Sequence, residues 1–186
     1  MRDNDSMTVI PRDRLAELEP ACALEDALAF FDTLPAVRAE ELTGRWHGRE
    51  LATGHPMDGL LEASGWYGKQ FDSVDEVHPL LFRAPSGKII AADPRRIPFG
   101  IVDKIPDGVV ARGRAVMGAA LPALRTSKHR ARLRNVEYRG VVTAGMSYDH
   151  LPIIDLFRRV DERTLLGCMD LRDAPPYFFV LERDAA

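Results

Sequence analysis

The stretch from Ala131 to Arg183 constrains this 186-residue chain more than any other. ARLRNVEY, VVTAGMSY, IIDLFRRV, TLLGCMDL and YFFVLER read as five short strands. RG, DHLP, DER and RDAPP fall between them, and each is turn or loop chemistry. Strands this short, regular and close in sequence predict an antiparallel meander. Upstream, LTGRWHGREL (residues 42–51) alternates with a period of two. Leu42, Gly44, Trp46 and Gly48 fall on one side, and Thr43, Arg45, His47 and Arg49 on the other. That is a strand with one dry and one wet face. Glycine weakens a strand, so a pair beside a large ring implies that something packs closely there. LLFRAPSGKIIAA reads as a hairpin turning at APSGK. Together these strands are about enough to close a small barrel, which removes exposed edges. The expected fold class is α+β, mainly β: an antiparallel β-barrel with an N-terminal helix and short inserted helices.

The helices are read from spacing. ACALEDALAFFDTLP carries Leu24, Ala27, Leu28, Phe31 and Leu34 at helical intervals, and Pro35 closes it. DGLLEASGW, residues 58–66, forms a short helix. Ser73 and Glu76 stand at capping-box spacing, which predicts one helical turn limited by Pro79. RAVMGAALPALR is helical, bent or ended near Pro122. DPRRIPFG is a Pro-rich connection. Residues 1–20 form a flexible lead-in, with 1–12 loosely ordered, and residues 21–184 form a single domain. Its front part is 21–100, and the strand meander occupies 101–184.

Composition excludes several functions. The net charge of −3 gives no general basic field, so nucleic acid is not an expected partner. Cys22 and Cys168 fit no metal spacing and read as reduced thiols. No apolar run approaches a membrane span, and the N-terminus lacks the apolar core of a signal peptide, so a cytoplasmic location is expected. There is no P-loop, dinucleotide fingerprint or Gly-x-Ser-x-Gly elbow. His47, His55, His78, His129 and His150 show no ligand spacing such as i, i+4. No metal or cofactor is therefore expected, although a set assembled from distant segments stays open.

Strand parity predicts what faces inward. Val142, Ala144, Met146 and Tyr148 share a face, as do Ile153, Asp155 and Phe157. In the last strand Tyr177, Phe179 and Leu181 share a face with Arg183. Oily walls with a few polar groups are the chemistry of a small-molecule site. The alternative is a filled core in which Tyr148 and Asp155 bond to backbone. Lys69, after Trp66 and Tyr67, is a head-group ligand or a Schiff-base amine if it points inward, and a surface lysine if it does not. Asp155 is a structural acceptor or, with a raised pKa, a catalytic acid. Tyr148, Asp149 and His150 cannot all converge on one strand face, so they read as a strand end entering a turn. The expected binding set is Trp46, Trp66, Lys69, Phe71, Met146, Tyr148, Asp155, Phe157 and Phe179, with no catalytic residue assigned. The basic run RTSKHRARLR, residues 125–134, is a solvated face or a transient membrane-surface contact.

G-R-W-H-G at 44–48 resembles the signature of the bacterial and fungal proteins named for a GXWXG motif. W-Y-G-K-Q-F, V-H-P-L-L-F and Y-D-H-L-P-I-I-D-L-F are similar to that family's recurring blocks, and FFVLER to the end of its second region, a domain of unknown function. The similarity spans roughly residues 24–184. A looser likeness is to lipocalins and intracellular lipid-binding proteins, which open with a Gly-x-Trp strand after a short helix. The resemblance implies a lipocalin-like barrel with Trp46 at its floor and Arg183 above the indole. The expected function is binding or carriage of a small hydrophobic ligand, fatty-acid- or phospholipid-like. The alternative is an isomerase- or cyclase-type enzyme acting on an apolar substrate without metal or nucleotide.

Overall fold

The computed structural model describes residues 10–97 and 113–185, with side chains from 119 onward in the second segment. The expectations for residues 1–9 and for the end of DPRRIPFG lie outside the described residues. Among the described residues nine strands form one antiparallel sheet: β1 (Gly44–Glu50), β2 (Trp66–Phe71), β3 (Val77–Arg83), β4 (Ile89–Ala91), β5 (Ala131–Tyr138), β6 (Val141–Tyr148), β7 (Ile153–Arg159), β8 (Thr164–Leu171) and β9 (Tyr177–Arg183). Their order is β2-β1-β9-β8-β7-β6-β5-β3-β4, and a further β2–β3 pairing closes eight of them into a ring with β4 appended to β3. The five meander strands and the β3–β4 hairpin stand where alternation and turn chemistry put them.

Among the described residues four α-helices accompany the ring: α1 (Pro11–Leu18), α2 (Leu24–Thr33), α3 (Leu60–Ser64) and α4 (Gly113–Leu124). α1 is a correction to the flexible lead-in. Pro11 sits in its first turn, where a missing N–H costs nothing. Arg12 ties it down through Asp161 at 2.7 Å and Thr164 at 2.8 Å. α2 stops at Leu34, whose extended backbone (ψ 144°) is what a following proline demands. α4 runs two residues past Pro122 before it ends at Leu124.

Three other expectations fail locally. Residues 73–76 make no helical turn. They form the tight β2–β3 connection, in which Ser73 accepts from the Asp75 N–H and the Asp72 and Ser73 N–H groups donate to the Glu76 carbonyl. Trp66 belongs to β2 and not to the preceding helix, because Gly65 terminates α3 in a left-handed conformation. Val142 is 58% exposed, since β6 pairs with β7 only at Gly145, Met146 and Ser147. Beyond that point residues 35–39 fill the widening gap: Ala36 bridges Arg158, and the Ala144 N–H donates to the Val37 carbonyl.

The sheet is apolar on both faces. Inside, Trp46, Trp66, Phe71, Leu133, Met146, Tyr148, Phe157 and Phe179 belong to one buried cluster. Outside, α1 and α2 cover Leu156, Leu166, Cys168, Phe178 and Val180. This is why β8 and β9 read as nearly continuous apolar runs. Phe31 of α2 packs edge-on against Tyr138 and Phe178, with ring centroids 6.3 and 5.9 Å away. Truncating such a ring costs about 3–5 kcal/mol. Cys22 and Cys168 are both free thiols. Among the described residues no helix is long and apolar enough to cross a membrane.

Candidate functional site

The site begins with one irregularity in β2. Along β1 the alternation is unbroken: Trp46 and Gly48 are buried, whereas Arg45 and His47 are exposed. Gly44, expected on the dry face, is exposed; its φ of +80° marks it as the turn into the strand. β2 pairs with β1 so that Trp46 faces Lys69 and His47 faces Gly68. At Gly68 the register with β3 shifts on both sides. The Gly68 φ is +144°, and a Cβ there would lie 2.0 Å from the Trp46 carbonyl oxygen. This is a β-bulge, which adds a residue and reverses parity beyond it. Trp66 and Lys69 are three positions apart, and on a regular strand they would face opposite ways. With the bulge both are buried. Tyr67 turns outward, stacks on His47 at 4.9 Å between ring centroids and donates its hydroxyl to Asp184.

The second glycine of the motif answers to Trp66 and not to Trp46. A Cβ at Gly48 would lie 2.2 Å from the Trp66 six-membered ring. Gly167 on β8 makes the same allowance for Phe179, also at 2.2 Å. Trp66 and Phe179 meet edge-on at 5.8 Å, and Phe179, Phe157 and Phe71 continue the chain of edge contacts. Trp46 is fixed separately. Its indole N–H donates to the Thr43 carbonyl at 3.1 Å, and the Arg183 guanidinium stands 5.6 Å from its ring centroid. Arg183 is in turn held by the Thr43 hydroxyl at 2.6 Å.

Within this aromatic shell Lys69 Nζ donates to Asp155 Oδ2 at 2.6 Å, to the Pro79 carbonyl at 3.3 Å and to the Tyr148 hydroxyl at 3.5 Å. The lysine and aspartate side chains are 3% and 1% exposed. The ammonium also lies 4.8 Å from the Phe179 centroid and 5.7 Å from that of Trp66. Burial pushes the Asp155 carboxyl above the usual range, with Lys69 opposing the shift. Burial and the neighbouring Asp155 push the Tyr148 phenol well above its own. Two polar atoms in the shell, Asp155 Oδ1 and Trp66 Nε1, have no hydrogen-bond partner among the described residues. The Tyr148 ring reaches from this centre to a shallow cleft lined by Pro94, Arg95, Arg130, His150 and Leu151.

All nine side chains expected to line the interior are buried there. In the run at 125–134, Arg130, Arg132 and Arg134 pair with Asp93, Asp149 and Asp75. Tyr148, Asp149 and His150 do diverge, with Tyr148 buried and the other two exposed. A second interior cluster carries no sequence signal. Glu50 accepts from the Tyr177 hydroxyl at 2.6 Å and from the N–H groups of Gly59 and Leu61 that open α3. It forms where α3 docks on β1 beside the Tyr177 hydroxyl of β9.

Residues 29–87 match the family described as GXWXG protein, and residues 129–183 match a domain of unknown function, DUF4334. The chain belongs to the GXWXG family. In this GXWXG protein the first matched block supplies Trp46, Trp66 and Lys69, and the second supplies Tyr148, Asp155 and Phe179. The buried centre therefore exists only where the two blocks close on each other. The chain is also similar to a protein from Thermomonospora curvata whose crystal structure is known. The identity is 30%, the TM-score 0.70, and the match covers 94% of this chain and 99% of that one. No curated protein matches the chain.

Proposed function

We propose that the ring is a lipocalin-like barrel that binds a small, mainly apolar ligand carrying a hydroxyl or carboxyl head. The observation that carries this reading is the pair of unpartnered atoms in the aromatic shell, Asp155 Oδ1 and Trp66 Nε1. An unpaired buried polar group costs about 1–3 kcal/mol. One atom accepts and the other donates, and a hydroxyl or carboxylic acid does both. Lys69, bonded to Asp155 Oδ2 and the Tyr148 hydroxyl, supplies the charge that favours an acidic head. The surrounding rings suit an aliphatic or isoprenoid body, and the Arg183–Trp46 stack fits a sealed floor.

The test is titration of delipidated protein with a fluorescent fatty acid, together with native mass spectrometry of the freshly purified chain. Saturable binding at one site, lost in Lys69→Met and retained in Arg132→Ala, is the expected result. A protein that carries no copurified small molecule and shows no saturable probe binding would remove the proposal.

A second reading is favoured by the raised Asp155 carboxyl beside the Tyr148 hydroxyl. Such a pair can relay a proton to an apolar substrate held by the shell, as an isomerase or cyclase requires. It is separated from simple carriage by one measurement. Asp155→Asn should retain the bound ligand yet abolish its mass-neutral conversion. No conversion by wild type would leave carriage alone, and equal conversion by wild type and variant would remove Asp155 from the catalytic role.

A further inference from the structure

A separate cluster lies where the β2–β3 connection meets the entry to β5. Asp72 follows β2, His78 lies on β3, and His129 stands two residues before β5. Asp72 and His129 are 57 residues apart in the chain, so no local spacing links them. The fold brings a ligand atom from each of the three to within 4.8 Å of the others. His129 Nε2 is 3.0 Å from Asp72 Oδ2. The two imidazoles face one another at 4.4 Å between centroids, tilted by 39°.

Two neighbouring side chains stand close to these three. Gln70 Nε2 donates to Asp72 Oδ1 at 2.7 Å, which leaves Oδ2 to meet His129. Glu76 Oε1 lies 4.0 Å from His129 Nδ1, on the far side of the ring from the nitrogen that meets Asp72. At that separation it makes no hydrogen bond to the ring, but it stands on the side from which a carboxylate partner orients a metal-bound histidine. Backbone bonds hold both segments in place. The Asp72 N–H donates to the Glu76 carbonyl at 2.9 Å, and the Arg130 N–H to the Val77 carbonyl at 2.9 Å.

We propose that Asp72, His78 and His129 bind one divalent first-row transition-metal ion of the zinc class, with the remaining coordination positions filled by solvent. Two imidazole nitrogens and one carboxylate oxygen form a borderline donor set. It suits Zn²⁺, Co²⁺ or Ni²⁺ and disfavours Mg²⁺ and Ca²⁺, which take oxygen shells. Asp72 is exposed and both histidines are half-buried, so the open side of the site faces water. The ion would brace a weak seam. β3 and β5 share a single register pair, Val77 with Ala131, and the three ligands straddle it.

The test uses full-length, untagged protein stripped with EDTA and dialysed, titrated calorimetrically with ZnCl2 and separately with MgCl2. Zinc should bind one per chain, and the melting temperature should rise by about 5–10 °C at a hundredfold excess over Kd. Magnesium should do neither. His78→Ala and His129→Gln should each abolish the stoichiometric heat. Gln70→Ala should weaken it by about 10–100-fold, and His150→Ala should leave it unchanged. The two ligand variants are paired so that a folding defect in one leaves the other to decide. Zinc heat that persists in both, equal binding of magnesium, or no stoichiometric zinc binding would each overturn the site.

Discussion

Lys69 and Asp155 stand on diametrically opposite strands of the ring, yet their charged atoms are 2.6 Å apart. From β2 the path to β7 crosses β1, β9 and β8 in one direction and β3, β5 and β6 in the other, four steps either way. The pair is a strut through the interior. Two charges withdrawn from water in this way stabilise little in net terms, because desolvation offsets their attraction. Removing one partner is a different matter, since it leaves the other buried and alone.

Lys69→Met and Asp155→Leu should therefore each destabilise the protein by about 3–5 kcal/mol. The double variant should lose much less than the sum of the two. Lys69→Met should be the milder single change, because burial already favours the neutral Asp155 carboxyl. Urea denaturation of the four proteins measures the coupling. Strictly additive losses would mean that the two charges do not interact.

Gly68→Ala should be among the costliest single-methyl additions in the chain. It combines a φ of +144° with a Cβ placed 2.0 Å from the Trp46 carbonyl oxygen. A loss of about 2 kcal/mol or more is expected, or roughly 4–8 °C in melting temperature. Gly87→Ala is the comparator. Its φ is +81° but the added methyl meets nothing within 4 Å, so backbone strain alone applies, about 1 kcal/mol. Equal melting temperatures for the two variants would contradict the close-approach role of Gly68.

Gly48→Ala drives a methyl into the Trp66 ring. Adding Trp66→Val should relieve that clash, so the double variant should be more stable than the Gly48→Ala single. Thermal unfolding of the pair decides. A double variant less stable than Gly48→Ala would show that Trp66 is not what the glycine accommodates.

Asp93 sets an acid limb. Hydrogen bonds from Arg95, with the nearby Arg130 charge, hold its carboxyl well below the usual carboxylate range. A depressed value contributes stability that is present above about pH 4 and lost as pH falls further. Asp155 has the opposite sign: its folded value lies above its unfolded one, so its share is greatest in acid and shrinks as pH rises. Asp93→Asn should flatten the fall in stability between about pH 5 and pH 3. An unchanged slope in denaturation midpoints across that range would remove Asp93 from the account.

The sequence by itself determined the strands of the meander, the hairpin at APSGK and the burial of Trp46, Met146, Tyr148, Asp155, Phe157 and Phe179. All follow from side chains alternating with a period of two, a property of the backbone that needs no partner. Tertiary structure alone decided the rest. A bulge exists only against a neighbouring strand, so β2 by itself left Lys69 open between interior and surface, and the ring above Gly48 could not be read from it. Ring closure set Lys69 opposite Asp155 and gathered Asp72, His78 and His129, because contacts across a closed sheet depend on which strands meet and not on spacing along the chain.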